Sequence, residues 1–269
     1  MKPLEYYFEK ALKEKWAIPQ FNFSNLEILK AIIEAAKELK SPVILGTSEG
    51  ESRFLGIENA VALVKNFREQ FSLPIFLNLD HGKSFDSCKA AIDKGYDTCE
   101  FDGSELKFDE NIETTKKLVQ YAKEKKVSIG GEMEEIGSGN LTDPDKAVLF
   151  YRETGIHRLA VNIGTGHAKE GKIDFFHLKK IKERVGDIPL VLHGASGVSE
   201  EEIKEVIKIG INKININTAL RKAFRDALKD FLNENSDEIV PYKYMPNVIE
   251  KVREVAENKI KLLGSLDKA

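Results

Sequence analysis

The chain has 269 residues, with 41 Lys and Arg against 44 Asp and Glu and a formal net charge of −3. Both charge signs are interleaved with no basic stripe, which argues against a nucleic-acid partner, and 42% hydrophobic residues argue against disorder. Two cysteines, Cys88 and Cys99, are too few for a disulfide framework or a thiolate zinc site. The opening MKPLEYYFE lacks the apolar core of a signal peptide, and no apolar run approaches a membrane span. A cytoplasmic chain with no membrane partner is the expectation.

Taken in order, short apolar and partly β-branched runs occur at Ile18–Phe21, Val43–Leu45, Leu73–Leu79, Asp97–Phe101, Val127–Ile129, Arg158–Ile163, Ile188–Leu192 and Lys213–Asn217. Between them lie charged stretches with helical apolar spacing, at Asn25–Lys40, Gly56–Gln70, Ser84–Lys94, Asn111–Lys126, Asp143–Thr154, Asp174–Val185 and Ser199–Gly210. Ser199 and Glu202 form a capping-box pattern, and Asp143 is a plausible N-cap. Eight strand–helix units in about 250 residues predict an α/β chain folded as a (β/α)8 TIM barrel, a single domain over 1–269. Amphipathic stretches at Leu220–Leu232 and Val248–Leu263 add a C-terminal helical extension that packs on the barrel or forms an oligomer contact. A doubly wound sheet is the alternative, but its early Gly-rich dinucleotide loop is missing.

In this fold the site lies at the C-terminal ends of the strands. Of five histidines, His81 ends strand three, His167 follows strand six and His193 ends strand seven. Three imidazoles on one rim, with an open fourth position, are the arrangement of a catalytic zinc. His157 precedes strand six at the opposite face, and His177 lies in a helical segment. Asp80, directly before His81, is either a general base beside a dication or a partner that orients an imidazole. Asp102 and Glu132 end strands four and five as turn or rim carboxylates that add acid to the same mouth. Small residues at Gly194-Ala-Ser-Gly197 and Asn215-Ile-Asn-Thr218, with Gly164 and Gly166 in the neighbouring loop, let backbone N–H groups face a phosphate.

These motifs, in this order, resemble the class II, metal-dependent fructose-bisphosphate and tagatose-bisphosphate aldolases. The resemblance runs from Phe21-Asn-Phe-Ser-Asn-Leu-Glu27 through Leu79-Asp-His-Gly82, Asp102-Gly-Ser104, Ala160-Val-Asn-Ile-Gly-Thr165 and Leu192-His-Gly-Ala-Ser-Gly197 to about Leu232. It implies reversible cleavage of a ketose phosphate, such as fructose 1,6-bisphosphate, to dihydroxyacetone phosphate and an aldehyde. It implies one zinc ion on His81, His167 and His193, with Asp102 and Glu132 as supporting or alternate ligands. Asp80 is then the acid/base at the C4 hydroxyl, and Asn215 lines the reacting carbons. Asn22, Ser48, Gly164, Gly166, Gly194, Ser196, Asn217 and Thr218 become substrate or phosphate contacts. A monovalent cation (Na+ or K+) beside the site and a homodimer or homotetramer complete the expectation.

Three departures stand out. The acidic loop after strand five is short, leaving Glu134 or Glu135 in place of the family's loop glutamate. Val240-Pro-Tyr242 stands where the family has Asp-Pro-Arg, whose arginine grips the distal phosphate, and Ala219 replaces an acidic residue after Asn217-Thr218. Two other readings compete: a Schiff-base aldolase, which needs a buried strand lysine where Lys213 is expected only at the start of strand eight, and a catalytically silent sugar-phosphate binder.

Overall fold

Alternation of strand and helix closes into a ring. The computed structural model describes residues 2–166 and 172–269, and its eight strands pair in parallel, each with its sequence neighbour and the eighth with the first. The order is α1 (Leu4–Glu14), β1 (Ile18–Asn22), α2 (Leu26–Glu38), β2 (Val43–Ser48), α3 (Glu49–Leu55), α4 (Ile57–Phe71), β3 (Ile75–Gly82), α5 (Phe85–Lys94), β4 (Thr98–Asp102) and α6 (Phe108–Lys125). Then follow β5 (Ser128–Glu132), α7 (Pro144–Thr154), β6 (Arg158–Ala160), α8 (Phe175–Val185), β7 (Leu190–Leu192), α9 (Glu200–Ile209), β8 (Ile211–Ile216), α10 (Thr218–Glu234) and α11 (Pro241–Leu262). The fold is the expected TIM barrel. Among the described residues, no helix is long and apolar enough to cross a membrane.

Period-two alternation explains where each strand residue goes. Val43, Leu45, Ile75, Leu77, Leu79, Ile129, Leu159, Ile214 and Ile216 face outward into one apolar layer shared with the helices. The intervening positions meet across the barrel interior, and they are mostly polar: Gln20, Asn78, Glu100, Arg158 and Lys213 are all buried. Barrel interiors are usually filled by branched apolar side chains. Here that filling is confined to the floor, where Ile18, Ile44 and Phe76 pack against Leu4, Tyr7, Phe8 and Ala11 of α1.

Two helices have no counterpart among the sequence-based elements. One is α1, whose apolar residues recur at helical spacing and plug the N-terminal mouth. The other is the short α3, capped by Ser48 and Glu51 acting reciprocally. The C-terminal extension is present as α10 and α11, and α11 packs on α2 and α10. Strand six is shorter than its apolar run, because Asn162 turns away to bond the loop after β5: Thr142 N donates to its carbonyl at 2.9 Å.

Lys213 corrects the sequence reading. Strand eight begins two residues earlier, at Ile211, so Lys213 sits mid-strand with its side chain wholly buried in the barrel. Its ammonium donates to Glu100 Oε1, and the same oxygen accepts from Arg158 Nε at 3.0 Å. Burial lowers the Lys213 pKa to about 8, with the Glu100 charge opposing. A buried lysine of lowered pKa meets one requirement of a Schiff base, but this amine is enclosed and already held by a carboxylate. Borohydride reduction in the presence of substrate is therefore expected to leave the chain unmodified; a covalent adduct on Lys213 by mass spectrometry would reverse that conclusion.

Candidate active site

The end of β3 is built so that two consecutive residues face the same space. The pairing of β3 with β4 shifts register between Leu79 and Gly82, and His81 takes a left-handed backbone with φ 54°. Such a bulge breaks the usual alternation and re-aims a side chain. Asp80 and His81 thus both reach the mouth, where donor atoms of Asp80, His81 and His193 lie within 4.8 Å of one another. The rings of His81 and His193 are 4.5 Å apart, centre to centre. His167 lies outside the described residues.

Asp80 is buried and gripped by two amides. Asn22 Nδ2 donates to Oδ2 at 2.9 Å and Asn215 Nδ2 donates to Oδ1 at 2.8 Å. Gly46 makes room for Asn22: a Cβ there would stand 2.4 Å from the Asn22 Oδ1. Asn215 Oδ1 is buried and has no hydrogen-bond partner among the described residues, leaving an acceptor for a substrate hydroxyl.

Behind His81 sit the other two expected carboxylates. Its Nδ1 lies 3.2 Å from Asp102 Oδ2 and 3.2 Å from Glu132 Oε2. Burial opposes charge on His81, but Asp80, Asp102 and Glu132 outweigh it and hold its pKa well above the ordinary histidine value. Asp102 is also buried, yet hydrogen bonds from His81, Lys83 and Ser104 hold its pKa below the usual carboxylate range. Burial raises the Glu132 pKa against the hydrogen bond from His81. Three carboxylates converge on one imidazole, a donor set able to hold a metal ion. Imidazole nitrogens and carboxylate oxygens are the donors zinc takes, so these residues fit the ion that the resemblance implies. His81, Asp102 and Glu132 form a second group with donors within 4.8 Å, sharing His81 with the first.

The glycine-containing loops expected to face an anion follow β6, β7 and β8. Gly194 has φ 68°, and a Cβ on it would stand 2.8 Å from the Gly166 backbone, so the two glycine loops lie main chain against main chain. Ser196 and Asn215 line one small cavity. Thr218 opens α10 without a side-chain cap, leaving first-turn N–H groups for an anion. Ser48, by contrast, uses its hydroxyl to cap α3, accepting from Glu51 N at 3.3 Å. The loop after β5 is tied down: Thr142 Oγ1 donates to Glu134 at 2.8 Å, and Asn162 Nδ2 donates to the Glu135 carbonyl at 3.1 Å. Burial pushes the Glu134 pKa up to about 7.

With this geometry in place, comparison with known proteins is decisive. The sequence model of the family described as fructose-bisphosphate aldolase class-II matches residues 2–268. The chain belongs to that family. It is accordingly an aldolase, a carbon–carbon lyase. Among solved structures it is similar to the YdjI aldolase from Escherichia coli K12, with 34% identity, a TM-score of 0.89, and coverage of 100% of this chain and 99% of that one. A fructose-bisphosphate aldolase from Campylobacter jejuni, at 22% identity and TM-score 0.88 over 99% of this chain and 95% of that one, shares the fold.

Residues that the motifs passed over also shape this aldolase's site. Glu51 accepts from Asn22, and Glu100 stands 4.0 Å from His193 Nε2. A readable signal existed for both: Ser48 and Glu51 have capping-box spacing, and Glu100 is a carboxylate set between the apolar Cys99 and Phe101 of a strand.

Proposed function

We propose that this aldolase is zinc-dependent and cleaves a ketose phosphate, fructose 1,6-bisphosphate foremost, to dihydroxyacetone phosphate and an aldehyde. The observation that carries the reading is the Asp80 carboxylate, fixed by two amide donors beside His81 and His193. In the proposal His81, His167 and His193 hold the zinc. Zinc, when bound, stabilises the negative charge that develops on oxygen as the carbon–carbon bond opens. Asp80 takes the C4 hydroxyl proton, the C3–C4 bond breaks, and its electron pair moves toward the C2 carbonyl. Both Asp80 oxygens already accept from amides, so the carboxylate meets the hydroxyl pre-oriented and loses little freedom on binding. In this proposal Asn215 Oδ1, buried and without a hydrogen-bond partner among the described residues, is the acceptor beside the reacting carbons. Glu134 or Glu135 of the loop after β5 returns the proton to carbon; burial of Glu134, which raises its pKa to about 7, favours the former.

Metal analysis tests the ligand set. His193→Ala is expected to lower zinc occupancy well below wild type; equal occupancy would remove His193 from it.

The first phosphate is placed at Gly194, Ser196, Asn217 and Thr218, where backbone N–H groups need no particular side chain. The distal phosphate has weaker support. Tyr242 offers one neutral hydroxyl where the family has arginine, and it is 78% exposed. Charge-assisted bonds are roughly twice as strong as neutral ones. Lys243, a nearby cation, is engaged with Glu238 at 3.2 Å. The kcat/KM for a ketose bisphosphate is thus expected to exceed that of its distally unphosphorylated analogue only modestly. A preference of about 10³-fold or more, some 4 kcal/mol, would show that another cation grips the distal group. A cytoplasmic homodimer or homotetramer belongs to the same proposal, and sedimentation velocity reads the oligomeric state.

A further inference from the structure

Glu51 is a buried carboxylate, 6% exposed, that neither the metal nor the proton-transfer chemistry calls for. Four donors from three different strand ends converge on it. Its Oε2 accepts from Asn22 Nδ2 at 3.0 Å, at the end of β1, and from Ser48 N at 2.7 Å, at the end of β2. Its Oε1 accepts from Asn217 Nδ2 at 3.3 Å and from the Arg221 guanidinium, both after β8. The same Asn22 amide gives its second hydrogen to Asp80. Asn22 Oδ1 in turn accepts from Gln20 Nε2 at 3.2 Å, and the absence of a Cβ on Gly46 leaves this amide its space. Asn22 is therefore a bridge between two carboxylates, and its orientation is set by the one that touches no substrate.

We infer that Glu51 is a positioning residue of the aldol site: through Asn22 it aims Asp80, and through Asn217 and Arg221 it holds the anion-binding loop after β8 in register with it. The inference rests on the aldolase reading given above. Its physical logic is acceptor count. Two ionised oxygens satisfy donors on both sides, whereas a glutamine presents an NH2 group to one side and sets donor against donor. A carboxylate that only capped α3 would be replaced by glutamine without loss, since either residue completes a capping box.

Glu51→Gln in the full-length chain with added zinc separates the two roles. The expected result is a thermal midpoint close to wild type with kcat lowered about 10²-fold, the scale of a small misplacement of reacting groups. Glu51→Asp keeps the charge but withdraws both oxygens by one methylene, and the same sign of change is expected. Wild-type kcat in either folded variant would overturn the inference, as would a lowered midpoint with activity intact. Titration with inorganic phosphate gives a readout independent of turnover: Glu51→Gln is expected to weaken its binding severalfold, because Asn217 and Arg221 lose their anchor. Unchanged phosphate affinity would overturn the loop-holding role. If the wild-type chain cleaved no ketose phosphate, the aldolase substrate reading would fall, while weakened phosphate binding in Glu51→Gln would still support the positioning of the loop.

Discussion

Replacing Asp80 with alanine is expected to lower carbon–carbon cleavage by about 10²–10⁴-fold, the usual contribution of a general acid–base group, while zinc content and phosphate binding stay near wild type. The expectation follows from the separation of duties at the end of β3. Asp80 touches Asn22 and Asn215, whereas His81 turns through its left-handed backbone toward Asp102 and Glu132. Removing the carboxylate deletes the acceptor of the substrate proton and leaves the imidazoles and the glycine loops in place. The measurement is steady-state cleavage alongside metal analysis of the same preparation. Near-normal turnover would take Asp80 out of proton transfer, and a parallel loss of zinc would make it a ligand instead.

The second large effect is on stability. Glu100→Gln leaves Arg158 and Lys213 facing each other in the barrel core, both with no exposed side-chain surface. Burial alone would raise the Glu100 pKa, but Lys213 first and Arg158 next hold it well below the usual carboxylate value. Removing one partner of a buried ionic group costs about 3–5 kcal/mol, because the remaining charge is stranded away from water. Arg158 has further partners, donating to Ser128 Oγ at 2.9 Å and lying over the Phe8 ring, so its position survives while its charge is uncompensated. For a chain of this length each kcal/mol shifts the thermal midpoint by roughly 2–4 °C, giving a drop of about 6–20 °C. Because the folded-state pKa of Glu100 is depressed, its stabilisation is present above the unfolded carboxylate value and fades only as pH falls through the lower folded value. Denaturant unfolding of the wild type and the variant at neutral pH reads the difference; a change under 1 kcal/mol would show that Glu100 carries no net stabilisation.

The barrel was legible because its outward strand positions are apolar and partly β-branched, as in Val43, Ile75 and Ile129, and because charged amphipathic stretches separate them. Motif order carried Asp80, His81, His193 and Asn215 to one mouth, as expected. What stayed hidden depends on closure of the ring. Glu100, Arg158 and Lys213 lie on β4, β6 and β8, and only the closed barrel brings their side chains together. Lys213 was misplaced because the eighth run was read as starting at Lys213, whereas Ile211 and Asn212 already belong to the strand. The left-handed turn at His81 leaves no sequence mark, since histidine adopts it only where the surrounding structure holds it there. Glu51 was missed for a different reason: its capping-box spacing marks a helix start, and nothing local says that the same carboxylate reaches Asn217 and Arg221 far along the chain.

The most direct measurement is cleavage of a small panel of ketose mono- and bisphosphates by the metal-stripped chain before and after addition of zinc. The expected result is negligible turnover after EDTA, restoration by about one equivalent of zinc, and release of dihydroxyacetone phosphate from every substrate cleaved. Turnover that persists in EDTA, or ligand binding without cleavage in the zinc-replete chain, would contradict a zinc-dependent aldol site built on Asp80, His81 and His193.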